Sequence, residues 1–157
     1  MTIPSGPLRE NIKNLKKYKN VFLNGNLENL EILKKKLLQI NSELIIHVGK
    51  YIAPNIDEFS KENDYLVFSG IGNHQTFISM IKNYNLNIKK DIEFPDHYQY
   101  SIADINKILQ EANNLNCKIL TTEKDFLRLE HKDVSKINFI KSDLKILDEN
   151  KLIKALL

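Results

Sequence analysis

One cysteine in 157 residues leaves no partner with which to close a disulfide. Cys117 sits in the apolar run NCKILTT, so a disulfide scaffold and a C-x-x-C redox pair are both excluded. The remaining reading is a core thiol in a reducing compartment. No apolar stretch approaches the roughly 20 residues that a membrane-spanning helix requires. The opening MTIPSGPLRE has no apolar segment of the signal-peptide kind. The expectation from both is a soluble, cytoplasmic chain unless a partner anchors it. A dense basic tract is also missing. The formal charge of +3 comes from dispersed lysines, which argues against a nucleic-acid-binding arm. H-E-x-x-H and a Ser-His-Asp order do not occur, so metal hydrolysis and nucleophilic catalysis have no support from motifs.

What the chain does have is an apolar pattern that switches repeatedly between the periods of helix and strand. That is the mark of a layered α/β domain, and the length suits a single one. A short helix is expected from Pro7 to about Leu15, then a buried strand at VFLN. In NLENLEILKKKLLQI, Leu27, Leu30, Leu33, Leu37 and Ile40 recur at helical spacing, which places Lys34, Lys35 and Lys36 on a solvated side. ELIIHVGKYIAP and YLVFSG read as strands, GNHQTFISMIKNY as a helix and NIKKDIEF as extended. SIADINKILQEANNL reads as a helix, with Ser101 as cap and Asp104 completing a capping box. KILTT, a helix from TEKDFLRL, INFIK and a terminal helix DENKLIKALL follow. The alternation favours a partly parallel sheet with flanking helices, its strand order open.

Four stretches carry candidate chemistry. In FSGIGNHQTF, a strand runs into Gly70-Ile71-Gly72-Asn73 and a helix start, which can aim backbone N–H groups at an anion. Gln75 stands where a dinucleotide fingerprint needs its third glycine, and no Gly-Lys-Ser/Thr follows for a Walker A loop. A tight strand-to-helix turn explains the stretch equally well. In FPDHYQYS, Pro95 holds Phe94 extended, so Asp96 and His97 lie together beyond a strand end. Such a pair suits proton transfer, yet adjacent side chains often diverge, and the partner of His97 can come from elsewhere. A merely exposed histidine is the alternative. In TTEKDFLRL, Thr121 or Thr122 can cap a helix whose positive end suits Glu123 and Asp125. Lys124 opposes that dipole and fits a nearby phosphate. In SGPLRE, Arg9 is a natural phosphate partner and Glu10 can hold a metal-bound water or ligand hydroxyl, unless both are simply solvated.

In this order, SGPLRE, FSGIGNHQTF, FPDHYQYS and TTEKDFLRL resemble the C-terminal half of the tetraacyldisaccharide 4′-kinases, the lipid A kinase family of Gram-negative bacteria, over nearly the whole chain. The resemblance implies transfer of the γ-phosphate of ATP, with Mg²⁺, to the 4′-hydroxyl of tetraacyldisaccharide 1-phosphate at the cytoplasmic face of the inner membrane. It implies a P-loop NTPase-like fold, of which residues 1–157 would be one C-terminal α/β domain. The N-terminal P-loop half, with its Walker A loop, acidic magnesium ligands and membrane-associating helix, would precede Met1. The chain alone is therefore expected to be inactive.

Carried over by position, His97 matches the family histidine that pairs with an aspartate of the other half to help activate the 4′-hydroxyl, and Asp96 accompanies it. Arg9 and Glu10 would face nucleotide and, indirectly, Mg²⁺. Gly70, Gly72, Asn73 and Lys124 are the further cofactor-side candidates, and no other metal ligand is expected. Glu123, Lys124 and Asp125 match the family's T-E-K-D stretch, read as support for the cleft wall. Tyr98 replaces a second histidine common in relatives, and His74 replaces a proline after Gly-Asn, which bears on the backbone after Gly72. The alternatives are a non-catalytic nucleotide- or anion-binding module and a structural remnant. No nucleic-acid partner is expected.

Overall fold

In the computed structural model, which describes residues 10–24, 29–129 and 134–157, helices and strands alternate much as the apolar periods dictate. A 3-10 turn at Ile12–Lys17 precedes β1 (Asn20–Asn24), α1 (Leu30–Ile40), β2 (Ile45–Ile52), a second 3-10 turn at Ile56–Glu58 and β3 (Asp64–Ser69). Then come α2 (His74–Asn83), β4 (Asn87–Glu93), α3 (Ile102–Leu115), β5 (Lys118–Thr122), α4 (Glu123–Leu127), β6 (Ile137–Ile140), β7 (Asp143–Ile146) and α5 (Glu149–Leu156). The start of the helix expected from Pro7, together with Arg9 and Leu27, lies outside the described residues. The chain divides into two compact units, Met1–Lys50 with Leu144–Leu157, and Tyr51–Asp143.

The second unit is built on a four-stranded sheet in the order β4-β3-β5-β6, with β3 parallel to β4 and β5, and β5 parallel to β6. Its centre is β3, where Leu66, Val67 and Phe68 are fully buried, each contributing about 1.5–3 kcal/mol through loss of apolar surface from water. Side chains alternate across the sheet. Tyr65 and Val67 meet Phe77, Ile78 and Ile81 of α2 on one face, while Leu66 and Phe68 meet Ile105, Ile108 and Ala112 of α3 on the other. A strand covered on both faces reads as a continuous apolar run, as YLVF does. The capping box forms as the sequence predicts. Ser101 Oγ accepts from the Asp104 N–H, and the Asp104 carboxylate accepts from the Ser101 N–H. Cys117 is half-buried against this second core, and burial pushes its thiol pKa up, which suits an unreactive packing role.

The strand order has one consequence for function. From β3 the chain crosses through α2 to β4 on one side, then returns through α3 to β5 on the other. The helices that follow β3 and β5 therefore pack on opposite faces of the sheet, with the two strand ends side by side between them. In α/β sheets such a reversal is where ligands bind.

In the first unit the sheet order is β1-β2-β7, with β1 parallel to β2. The short strand β7, in KSDLKIL, is not announced by its sequence. Helix α1 also departs from the expected pattern. Leu37 is buried, but Leu33 is 42% exposed, and Lys34 is half-buried in an ion pair with Glu31 at 3.0 Å, leaving Lys35 and Lys36 solvated.

Buried His47 on β2 joins α5 to the sheet of this unit. Its Nδ1 lies 2.8 Å from Asp148 Oδ2 and its Nε2 lies 3.2 Å from Asn20 Oδ1. Burial pushes the Asp148 carboxyl up, but the hydrogen bonds from His47 and the Val48 amide outweigh it and leave the carboxyl below its ordinary value of 3.8. A depressed carboxyl contributes stability above its unfolded pKa, and that contribution disappears as pH falls through the lower folded value. Acid titration below the ordinary carboxylate range is therefore expected to loosen α5. Asp148→Asn should flatten that limb of the urea midpoint against pH. An unchanged limb in the variant would show that other groups cause it.

Candidate functional site

The loops at the carboxyl ends of β3, β4 and β5 meet in one hydrogen-bonded cluster. The β3 loop supplies both backbone groups of Gly70. Its N–H donates to Asp125 Oδ2 at 3.1 Å, and its carbonyl accepts from the His97 amide and from the Arg128 guanidinium, each at 3.0 Å. The β4 loop supplies Asp96 and His97. After β5, Thr122 caps α4. Its hydroxyl accepts from the Asp125 N–H and donates to Asp125 Oδ2 at 2.7 Å. Of the two threonines, Thr122 is the cap, while Thr121 donates to the Phe68 carbonyl.

Asp125 is fully buried and accepts from Gly70 N–H, Thr122 hydroxyl and, at 3.1 Å, Arg128. A buried carboxylate is tolerable when its acceptor sites are filled in this way. Arg128 then reaches onward: a second guanidinium nitrogen lies 3.2 Å from His97 Nδ1. The nearby Tyr100 hydroxyl is buried with no hydrogen-bond partner among the described residues, and burial, reinforced by the Asp125 charge, pushes its pKa up.

His97 itself combines a fixed backbone with a solvent-facing ring. Its φ of 59° is left-handed, a conformation that costs an ordinary L-residue about 1–2 kcal/mol. The turn from Pro95 to Tyr98 is closed by a 3.1 Å bond from the Tyr98 amide to the Pro95 carbonyl. Its third position, held by His97, is one where glycine or asparagine is usual. Despite this anchoring the imidazole is 80% exposed, and its Nε2 stands 3.9 Å from Asp96 Oδ2, beyond hydrogen-bond reach. The close partner of His97 thus comes from another loop.

Tyr98 and Tyr100 hold this loop down. Tyr98 packs against Phe94 and Tyr100, and its hydroxyl donates to Asp104 at the start of α3 at 3.3 Å. Tyr98 therefore serves to pack this loop against the start of α3. His74 is the first residue of α2, a position at which proline is also favoured, so the backbone after Gly72 accepts either residue. The His74 ring is buried between Ser69 Oγ at 2.6 Å and Asp91 Oδ2 at 3.2 Å. This is a Ser-His-Asp series in that chain order, which corrects the sequence reading that none occurs. Ser69 is fully buried, so no substrate reaches it and the series is structural.

The remaining candidates stand as follows. Asn73 spends its side chain capping α2, accepting from the Thr76 amide at 3.0 Å. Gly72 lies under Asp96: a Cβ placed there would sit 3.2 Å from Oδ2. Glu123 and Lys124 are exposed on the first turn of α4. Glu10 belongs to the other unit, is exposed, and accepts from the Tyr18 hydroxyl at 3.1 Å, which pushes the Tyr18 pKa up. Arg9 lies outside the described residues. The structure thus brings together Gly70, Gly72, Asp96 and His97, and adds Arg128 and the full role of Asp125. Arg128 was visible in the sequence only as the one arginine of the stretch TTEKDFLRL.

Among the described residues no group of three or more His, Cys, Asp or Glu side chains is set to hold a metal ion. None of the helices formed by those residues is long and apolar enough to cross a membrane.

A family model described as tetraacyldisaccharide-1-P 4′-kinase (LpxK) matches residues 1–157. The tetraacyldisaccharide 4′-kinase of Pelagibacter ubique is 56% identical over 158 residues, spanning 98% of this chain and 50% of that protein. The enzyme of the same name from Rickettsia typhi is 33% identical over 132 residues, spanning 82% of this chain and 39% of that protein. The chain spans half or less of the length of these curated relatives. The crystal structure of the "apo" form of LpxK from Aquifex aeolicus in complex with ATP shares the fold, with a TM-score of 0.56 and 22% identity over 99% of this chain and 47% of that one.

Proposed function

Because the chain belongs to the tetraacyldisaccharide-1-P 4′-kinase family, we propose that it forms the C-terminal, acceptor-side part of an ATP-dependent lipid kinase. The acceptor is the 4′-hydroxyl of tetraacyldisaccharide 1-phosphate, and the assembled enzyme works peripherally at the cytoplasmic face of the inner membrane. The observation that carries the reading is His97: an exposed imidazole on the β4 loop, tied by its backbone to Gly70 and by its ring to Arg128, which flank the switch point between β3 and β5 of a parallel sheet. Loops so placed are where α/β enzymes put their chemistry. His97, beside Asp96, meets the acceptor hydroxyl together with a carboxylate from the N-terminal P-loop part.

Bound ATP supplies the phosphoryl group, and the P-loop part holds it. The Gly70–Gly72 turn does not fit a phosphate, since the Gly70 N–H is taken by Asp125 and Gly72 faces the Asp96 carboxylate. Gly70, Gly72 and Asn73 act instead by shaping the loop that carries the His97 anchor. Arg9, Glu10 and Lys124 remain on the nucleotide side of this reading. Mg²⁺ is placed with the nucleotide in the P-loop part, where Glu10 would reach it only indirectly. Phosphoryl transfer depends mainly on positioning and charge stabilisation around the transferred group, which this chain alone does not provide.

Purified chain incubated with ATP, Mg²⁺ and tetraacyldisaccharide 1-phosphate is therefore expected to give no product. The same chain joined to the N-terminal part of the Pelagibacter ubique relative is expected to phosphorylate the disaccharide. Turnover by the isolated chain above that of its His97→Ala variant would overturn the division of labour. A folded fusion that binds ATP without turnover would count against the acceptor-side role.

A further inference from the structure

Arg128 is the residue that the sequence left without a task, and it touches Gly70, Asp125 and His97. One guanidinium nitrogen donates both to the Gly70 carbonyl at 3.0 Å and to Asp125 Oδ1 at 3.1 Å. The other lies 3.2 Å from His97 Nδ1. Arginine has five N–H donors, no acceptor, and stays charged throughout the accessible pH range. A hydrogen bond between the two side chains can therefore run in one direction only, from guanidinium to the Nδ1 lone pair.

We propose that Arg128 is a positioning residue for His97, fixing its neutral imidazole as the Nε2–H tautomer with Nε2 turned to the acceptor. This deepens the reading of His97 given above and rests on it. The guanidinium is itself held by a carboxylate with no access to water, so its plane is set before any substrate arrives. It also shares the Gly70 carbonyl with the His97 amide, so one clamp sets both the backbone and the ring. Protonating Nδ1 would oppose two N–H groups across this contact. The contact therefore favours an imidazole that presents a single N–H, at Nε2, to a carboxylate or an oxygen of the acceptor. Lysine could supply the charge, but not the planar fork that meets three acceptors at once.

The test has two readouts. In the full chain, labelled with ¹⁵N-histidine and observed by NMR at a pH where His97 is neutral, Nδ1 is expected to be unprotonated and Nε2 protonated. A wild-type spectrum with the proton on Nδ1 would overturn the proposal without any variant. Arg128→Met is expected to leave a mixture of tautomers. In the fusion with the N-terminal part it should lower kcat by about 10–100-fold, the cost typical of removing the partner that orients a functional histidine at a metal site. The KM for ATP should hardly change. Arg128→Lys should fall between the two, and it also decides the matter if Arg128→Met fails to fold. Unchanged tautomer and unchanged kcat in a folded Arg128 variant would refute the proposal. If His97→Ala itself left kcat unchanged, the reading of His97 would fail. A large effect of His97→Ala beside none for Arg128 would remove only the positioning role.

Discussion

In the kinase completed with its N-terminal part, His97→Ala is expected to lower kcat by about 10²–10³-fold, the range for losing one preorganised hydrogen-bond donor aimed at the reacting groups. The KM for ATP should change little. The argument is one of place. His97 stands on the β4 loop, held by Gly70 and Arg128, and its contact to the acceptor hydroxyl strengthens only as the phosphoryl group moves. An interaction made chiefly in the transition state appears in kcat rather than in ground-state binding. Two controls separate chemistry from loop conformation. His97→Asn keeps a residue that tolerates positive φ, and His97→Gly relieves the strain at 59°. Both should fold at least as well as wild type, yet be as slow as His97→Ala. If Asn or Gly restored turnover, the histidine would be serving the turn and not the reaction.

Most of the second unit was legible in the sequence because its physics is local. YLVF announces a strand, and Ser101 with Asp104 announces a helix start; both appear as read, the strand being covered on both faces. The first unit was less legible. In α1 the spacing of Leu30, Leu33, Leu37 and Ile40 is correct for one face, but spacing does not say how wide a surface waits to receive it, and Leu33 remains exposed. The strand β7 is four residues long and half-buried at best, too short to leave a period.

The site divides the same way. Asp96 and His97 could be named because histidine and carboxylate types point to proton transfer wherever they stand. Gly70 could be named because a glycine at a strand end signals a tight turn. The link between them could not. Gly70 and Asp125 are 55 positions apart, and His97 and Arg128 are 31 apart. Both links depend on a strand order that places β5 beside β3, whereas the chain visits β4 in between. Local pattern fixes each strand without fixing its neighbours. Asp125 was read as a helix-dipole partner, which it is by position, but its burial and three donors follow only from that order. The Ser69–His74–Asp91 series stands in order along the chain, but only the pairing of β3 with β4 brings Asp91 to the His74 ring.

Asp125 therefore carries the second large expectation, on stability and on the site together. Asp125→Ala removes the acceptor of the Gly70 amide, the Thr122 hydroxyl and one Arg128 nitrogen at once. Breaking a buried ion pair by deleting one partner costs about 3–5 kcal/mol. Arg128 keeps 21% of its side-chain surface in contact with solvent, so the lower end of that range is the expected loss in urea unfolding. Asp125→Asn should recover only part of it, because its amide can accept on one atom where the carboxylate accepts on two, and its NH₂ would then oppose one of the three donors. The effect should also be local. Amide exchange at Gly70 and His97 is expected to quicken in either variant, since the bond from the His97 amide to the Gly70 carbonyl loses its support, while the buried amides of β3 change only by the global loss. Adding Arg128→Met to Asp125→Ala should cost less than the sum of the two single changes, as removing both charges leaves neither unpaired. Strictly additive losses, or an Asp125→Ala chain as stable as wild type, would mean that the carboxylate does not hold the loops together and that the fixed placement of His97 has another source.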